Sequence, residues 1–177
     1  MYGRISVPSY GPRDAEVALL GQSPGREEEL LGRPFVGPAG RFARKVFEEA
    51  GYEWESIYRF NVFSKRLLSV KDRDALMRDI VASRERIERE IASLRNLKLL
   101  VAAGNEAIYA VSGKWGAIKL HGSSLRPVIY VPNGLRVLAI VHPSFVLRNG
   151  GESSRWYGRL LEALRKERQL LPVLSKS

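Results

Sequence analysis

A short apolar run that leads into a glycine- and proline-rich loop constrains this chain more than any other feature. The run Val17–Leu20 has the composition of a buried strand, and the loop GQSPGREEELLGRPFVGPAG, residues 21–40, follows at once. Apolar residues then recur at helical spacing from Arg41 to Ala50. Open α/β sheets bind their ligands in loops of this kind, between the carboxyl end of a strand and a helix. The sequence therefore predicts a ligand site within residues 21–40.

Strand and helix patterns alternate along the rest of the chain. They predict one domain over residues 1–177, with an irregular lead-in at 1–14. Strands are expected at 16–20, 56–63, 97–103, 127–131 and 136–141, the last two separated by a turn. Helices are expected at 38–50, 72–94, 105–111 and 152–170. A short helix is also possible at residues 27–29, because acidic residues are favourable near the amino end of a helix. This alternation favours an α/β fold, with a parallel sheet covered by helices on both faces.

The chain is strongly basic, with a formal net charge of +10 and a pI of about 10.1. Arginine supplies 21 of the 29 basic residues, and arginine suits phosphate contacts and stacking on bases better than lysine does. This charge favours a polyanionic partner, most simply nucleic acid, although a generally basic protein would carry it too. The scarcity of glutamine, with two residues, together with abundant arginine and glutamate, suggests a thermophilic source.

Several function classes are excluded by what the sequence lacks. The absence of cysteine excludes disulfides, thiolate chemistry and a cysteine-ligated iron–sulfur cluster. Two histidines argue against a zinc site built by the protein, so we expect neither a metal nor a cofactor. No apolar run approaches membrane-spanning length, and the amino terminus has no signal-peptide pattern. We therefore expect an intracellular, cytoplasmic protein that has no membrane partner.

Polar residues follow three of the predicted strands, and parallel topology would bring them together at one edge. Gln22 and Ser23 follow the first strand, Asn61 lies near the end of the second, and His142 follows the last. Three of these residues also have a purely structural interpretation: Asn61 as a turn cap, His142 as a hydrogen-bonded loop residue and Gln22 as a solvated side chain. Phe35, in the loop after the first strand, could likewise be a packed core residue. The sequence contains no Walker A lysine, no complete G-x-G-x-x-G after a strand and no nucleophile elbow.

Four motifs, in this order and spacing, resemble the uracil-DNA glycosylase superfamily, and most closely its thermophilic, iron–sulfur-containing family 4 branch. They are GQSPG at 21–25, GRPFVGPAG at 32–40, NV at 61–62 and HPSFVLRN at 142–149. The resemblance extends from about residue 15 to about residue 166. It implies a three-layer α/β/α fold around a mainly four-stranded parallel sheet. It also implies a monofunctional DNA repair enzyme that flips uracil out of DNA and hydrolyses its N-glycosidic bond.

The resemblance also implies roles for individual residues. Phe35 would stack on the flipped base, Asn61 would read its Watson–Crick edge, and His142 would lie beside O2 of the leaving base. Hypoxanthine presents a C=O and N–H pair similar to that of uracil, so other deaminated bases stay open as substrates. The remaining site residues fall into three groups. Gln22 and Ser23 would be catalytic, and Gly21, Pro24 and Gly25 would bind the base. The residues that would bind the DNA are Ser144, Leu147, Arg148 and Arg155.

The chain departs from family 4 at several positions. The four cluster cysteines are absent, and Lys65 stands at the position of the third. Gln22 replaces the usual glutamate, and Ser23 stands where the best-known uracil-DNA glycosylases have a catalytic aspartate. These departures leave two alternatives open: a catalytically weak or silent DNA-binding member of the fold, and a basic α/β protein that binds a free nucleotide. We expect a monomer in each case.

Overall fold

The computed structural model describes residues 1–171, so residues 172–177 of the predicted domain lie outside the described part of the chain. Strands and helices alternate as expected over most of this length. In chain order they are β1 (Tyr2–Ser6), β2 (Val17–Gly21), α1 (Arg26–Leu31), α2 (Pro38–Glu49), β3 (Ile57–Asn61), β4 (Lys65–Leu67), α3 (Arg73–Ala82), α4 (Arg84–Ser93), β5 (Leu99–Ala103), α5 (Asn105–Ser112), α6 (Ala117–Leu120), β6 (Arg136–Ile140), α7 (Pro143–Arg148) and α8 (Arg155–Leu170).

Four parallel strands form the central sheet, in the order β3-β2-β5-β6. Every residue of the two inner strands, β2 and β5, is buried, as expected for a sheet covered on both faces. Helices α2, α7 and α8 pack together in one layer, and α3, α4 and α5 in the other. This arrangement confirms the predicted three-layer α/β/α fold. Gly21 pairs with Asn61 and Ala103 with Ile140, so the carboxyl ends of all four strands meet at one edge.

The prediction of an irregular lead-in is wrong for residues 2–6. They form β1, which pairs antiparallel with β4. The ring of Tyr2 contacts that of Phe63, with centroids 5.2 Å apart, and the Leu68 N–H donates to the Met1 carbonyl at 2.9 Å. The partner strand is more than fifty residues away along the chain, so local patterning carries no signal of this pairing.

The single long helix predicted at 72–94 is two helices, α3 and α4, which meet at Ser83. The Ser83 hydroxyl donates to the Ile80 carbonyl at 2.7 Å. A serine that binds the preceding turn in this way bends or interrupts a helix. The apolar residues Ile80 and Ile87 are nevertheless both buried, because the two helices keep a common inner face.

Residues 127–131 were predicted as a strand and are not one. The Val128 N–H donates to the carbonyl of Val111 at the end of α5, and the Tyr130 N–H donates to the Glu88 carboxylate, both at 2.8 Å. Because these donors bind a helix end and a side chain, they are not available to a neighbouring strand. Ile129 is buried by this packing, which explains the apolar composition that suggested a strand.

Candidate functional site

A cavity of about 400 Å³ and a second of about 330 Å³ open at the carboxyl edge of the sheet, and His142 lines both. The smaller cavity is lined by five residues that the sequence singled out: Ser23, Gly25, Phe35, Asn61 and His142. They come from the loop after β2, from the end of β3 and from the residue joining β6 to α7. The predicted convergence of strand-end residues is therefore present in the fold.

Phe35 is held as a wall of the smaller cavity by an unusual backbone. Its φ of 57° makes it the one non-glycine residue with positive φ among residues 1–171, a conformation that bulky side chains rarely adopt. Gly40, in the first turn of α2, makes this possible, because a Cβ there would lie 2.1 Å from the Phe35 carbonyl carbon. The buried Phe35 ring also meets the Trp54 ring edge-on, with centroids 6.5 Å apart. It is thus both a packed residue and a cavity wall.

The Asn61 side chain and the Phe35 ring meet over Gly21. Asn61 and Gly21 are register partners at the ends of β3 and β2. A Cβ on Gly21 would lie 2.6 Å from Cζ of Phe35 and 2.7 Å from Oδ1 of Asn61. Only glycine leaves room for an aromatic ring and an amide to approach the backbone of β2 so closely at this point.

The imidazole of His142 is oriented by Ser144. His142 caps the amino terminus of α7, and its Nδ1 accepts a hydrogen bond from the Ser144 backbone N–H at 3.1 Å, with the Ser144 Oγ at 2.8 Å. Because Nδ1 serves as an acceptor, the proton of the neutral ring is assigned to Nε2, which is then a hydrogen-bond donor. The ring lies nearly parallel to that of Phe35, at 18°, with centroids 6.4 Å apart.

His142 is neutral at physiological pH. Burial, with a smaller contribution from the charge of Arg148, lowers the pKa of His142 from 6.5 to about 4. The site therefore presents an uncharged imidazole whose Nε2–H is available, and it does so without a carboxylate partner to hold the ring. The helix-capping bond to Ser144 performs that task.

Gln22 and Ser23, the two predicted catalytic residues of the first loop, line different cavities. Gln22 lines the larger cavity with His142, Ser144 and Arg148, and it is not among the residues that line the smaller one. Ser23 lines the smaller cavity, but its hydroxyl is also within reach of the Leu67 N–H, at a long 3.4 Å. Their catalytic roles stay predictions.

The other predicted residues lie around the cavities. Pro24 is buried beneath the loop. Leu147 and Arg148 lie on α7, and Leu147 is 40% exposed although it is apolar. Arg155 is exposed at the start of α8. Of these, Arg148 lines the larger cavity together with His142, and Leu147 is its neighbour on α7.

Glu28 is a site residue that the sequence analysis did not identify. Its buried carboxylate lines the smaller cavity and accepts a hydrogen bond from the Gly37 N–H at 3.1 Å. A Cβ on Gly25 would lie 2.9 Å from Glu28 Oε2, so the carboxylate is enclosed by two glycines. The available signal was a cluster of three acidic residues in the loop of a basic chain.

The iron–sulfur cluster that the family 4 resemblance implies does not fit these residues. The chain has no cysteine, and a cluster of that type is ligated by four of them. The segments in which the cluster cysteines are expected, near the amino terminus and after the second strand of the sheet, contain β1 and β4, which pair with each other. Among residues 1–171, no group of three or more histidine, aspartate or glutamate side chains is placed to hold a metal ion. Nor does any helix in that range combine the length and apolar character needed to cross a membrane.

Comparison with known proteins identifies the family. Residues 8–165 match the family model described as the uracil DNA glycosylase superfamily, and the chain belongs to that superfamily. It is 31% identical over 156 residues to the type-4 uracil-DNA glycosylase of Thermotoga maritima, covering 84% of this chain and 75% of the relative. It is 28% identical over 145 residues to that of Archaeoglobus fulgidus, covering 80% of this chain and 71% of the relative. The resemblance recognised from the four motifs is thereby confirmed.

Proposed function

We propose that this protein is a monofunctional DNA glycosylase that excises uracil from DNA as a step of base excision repair. The observation that carries the proposal is the meeting of Phe35, Asn61 and His142 around one cavity at the carboxyl edge of the sheet. The printed names of the relatives, type-4 uracil-DNA glycosylases, support the same activity. The fold supplies the position, and these three side chains supply the chemistry.

The proposed chemistry depends on stabilising the leaving base. Breaking the N-glycosidic bond puts negative charge on the base oxygens and positive charge on the sugar. The Nε2–H of His142 donates to O2 of the base as that charge develops, and a preoriented donor in a site shielded from water is effective at this task. Because the pKa of His142 is about 4, the ring donates as neutral imidazole throughout the physiological pH range.

Asn61 gives the site its specificity for uracil. Its amide donates a hydrogen bond to O4 and accepts one from N3–H. Cytosine presents the opposite pattern, so it would leave a buried polar group unpaired, at about 1–3 kcal/mol. The Phe35 ring stacks on the base, a contact worth about 1–3 kcal/mol. Hypoxanthine has a similar C=O and N–H pair and is the second base we propose to test.

The positive charge on the sugar needs a negative or polar partner. Glu28 offers a buried carboxylate at the smaller cavity, and its second oxygen is not the acceptor of the Gly37 N–H. Ser23 is neutral and lines the same cavity, so we assign it to holding the attacking water rather than to removing its proton. Gln22 lines the neighbouring cavity with His142, and we propose that it helps to order water on that side. The reaction is then mainly dissociative: the C–N bond breaks first and the base leaves as an anion. Water is captured late, and the proton that it releases is taken up by the departed base or by solvent.

The DNA lies across α7 and the start of α8. Leu147 fills the gap left by the flipped nucleotide, while Arg148, Arg155 and Ser144 contact the phosphates. The net charge of +10 supports this binding, and affinity should fall steeply as salt is added. We further propose that the protein acts as a monomer, because Phe35, Asn61 and His142 of a single chain already line one cavity.

A single experiment tests this function. The protein is incubated with oligonucleotides that contain one uracil, hypoxanthine or thymine, and the products are treated with alkali. Alkali-dependent breaks at uracil support the proposal, and breaks at hypoxanthine extend it. Tight DNA binding without strand breaks would instead favour the catalytically silent alternative. Binding of a free nucleotide, with neither strand breaks nor tight DNA binding, would favour the nucleotide-binding alternative.

A further inference from the structure

Two ion pairs on α4 have the same spacing in the sequence and different environments in the structure. Glu85 with Arg89 and Arg86 with Glu90 both suggest a solvated helix face. Arg89 and Glu85 are indeed exposed, at 69% and 79% of their side-chain surfaces. Arg86 and Glu90 are only 30% and 19% exposed. The Arg86–Glu90 pair therefore faces the protein and needs another explanation.

Arg86 binds the backbone at the carboxyl end of β3. Its Nη2 donates to the Asn61 carbonyl at 2.7 Å and also to the Val62 carbonyl. Because β3 is an edge strand, its outer carbonyls have no neighbouring sheet strand to supply donors. The Arg59 carbonyl accepts from the Tyr10 N–H instead, and Arg86 provides the donor farther along the same edge.

The guanidinium is itself held in place from the other side. Nη1 of Arg86 donates to Oε1 of Glu90 at 2.8 Å. The second oxygen of Glu90 accepts from the Ser9 hydroxyl at 2.5 Å and from the Tyr58 hydroxyl at 3.2 Å. A chain of charge-assisted hydrogen bonds thus runs from the lead-in and the middle of β3 to the backbone of Asn61.

We propose that Arg86 is a positioning residue for base recognition, which acts by fixing the backbone from which the Asn61 amide projects. The inference deepens the proposed function and rests on it. Asn61 is the last residue of β3, and because β3 is an edge strand, only β2 supports its backbone from within the sheet. Holding its carbonyl fixes the peptide plane and thereby the direction in which the amide meets the base.

The test compares Arg86→Ala and Arg86→Lys with Arg89→Ala, a control on the same helix whose ion pair is exposed. Single-turnover excision of uracil by Arg86→Ala should fall about 10- to 100-fold, as expected when a binding group is displaced by a fraction of an ångström. Lysine keeps the charge but lacks the fork of donors, so Arg86→Lys should be intermediate. Affinity for a thymine-containing oligonucleotide should stay unchanged in all three, and Arg89→Ala should match the wild type.

A double-mutant cycle separates positioning from general destabilisation. If Arg86 acts through Asn61, adding Arg86→Ala to Asn61→Ala should cause no further loss of rate. Additive losses, or a wild-type rate in Arg86→Ala, would overturn the inference. If Arg86→Ala does not fold, the same cycle with Arg86→Lys decides in the same way.

Hydrogen exchange gives a readout that does not depend on excision. The N–H groups of Val62 and Phe63 donate to the carbonyls of Gly21 and Gln22, both at 2.9 Å. Their exchange should accelerate in Arg86→Ala and not in Arg89→Ala; equal exchange in both would refute the anchoring role. A wild-type protein that leaves uracil in place would count against the proposed function, while this comparison would still decide whether Arg86 anchors Asn61.

Discussion

Replacing Gly40 with alanine tests how the protein holds Phe35 in its strained conformation. The added Cβ would lie 2.1 Å from the carbonyl carbon of Phe35 and 2.2 Å from its oxygen. These are backbone atoms, so no side-chain rotation relieves the contact. Either the first turn of α2 or the loop that carries Phe35 has to move.

The magnitude follows from two opposing effects. Overpacking of a well-packed region typically costs about 1–3 kcal/mol, and a clash with backbone belongs at the upper end, near ~3 kcal/mol. Alanine is favoured over glycine within a helix by about 1 kcal/mol, which offsets part of that cost. The net loss of unfolding free energy is then about 2 kcal/mol. For a protein of this size, such a loss corresponds to a decrease in Tm of about 4–8 °C.

Thermal and urea unfolding measure this change, with Gly158→Ala as the control. Gly158 lies within α8, and a Cβ there would meet nothing within 4 Å, so alanine should raise stability by about 0.5–1 kcal/mol. Uracil excision well below either Tm should also decrease in Gly40→Ala, because a displaced Phe35 would lose the stacking contact proposed for it. A Tm for Gly40→Ala as high as that of Gly158→Ala would refute the reasoning.

The remaining predictions concern His142 and Leu147. Substitution of His142 by alanine should lower the single-turnover rate about 10²- to 10³-fold, the usual effect of losing one such donor, with little change in DNA binding; an unaltered rate would assign His142 a structural role only. The pKa of His142 is about 4 in the folded protein and 6.5 in the unfolded chain, so the unfolded chain takes up the proton first as the pH falls. The stability contributed by the neutral ring is therefore complete above pH ~6.5 and should decrease as the pH falls to about 4. Urea unfolding of the wild type and of His142→Gln measures this decrease, and the same pH dependence in both proteins would argue against it. Leu147→Ala should slow excision from duplex DNA more than from single strands, which have no stack to open, and equal slowing on both substrates would contradict a wedge role.

The elements that position the site could be predicted because their signals are local. Val17–Leu20 is apolar and ends at glycine, and His142 follows an apolar run directly. Parallel topology then places the strand ends at one edge, whatever the details of packing. Side-chain directions at the strand ends were not predictable in the same way. Gln22 and Ser23 are adjacent in the sequence, yet they line different cavities.

The failed predictions share a physical cause, which is that the deciding partner is distant or is a single side chain. The strand β1 exists because residues 65–67 pair with it. The helix predicted at 72–94 is interrupted by one serine hydroxyl that binds a carbonyl. The two ion pairs of α4 have the same four-residue spacing in the sequence, and the position of β3 is what makes the environment of Arg86 differ from that of Arg89.

The distribution of charge at the site indicates where most of the rate enhancement must arise. Ser23 is neutral and lies within hydrogen-bonding distance of Leu67, so no carboxylate stands there to draw a proton from water. The carboxylate of Glu28 is enclosed by two glycines and accepts a backbone N–H, an arrangement that suits the proposed role of facing a cationic sugar better than the role of a base. His142 is a strongly oriented donor, since the Ser144 N–H fixes its tautomer. Under the proposed function, stabilisation of the departing base is the main route by which this site would accelerate the reaction.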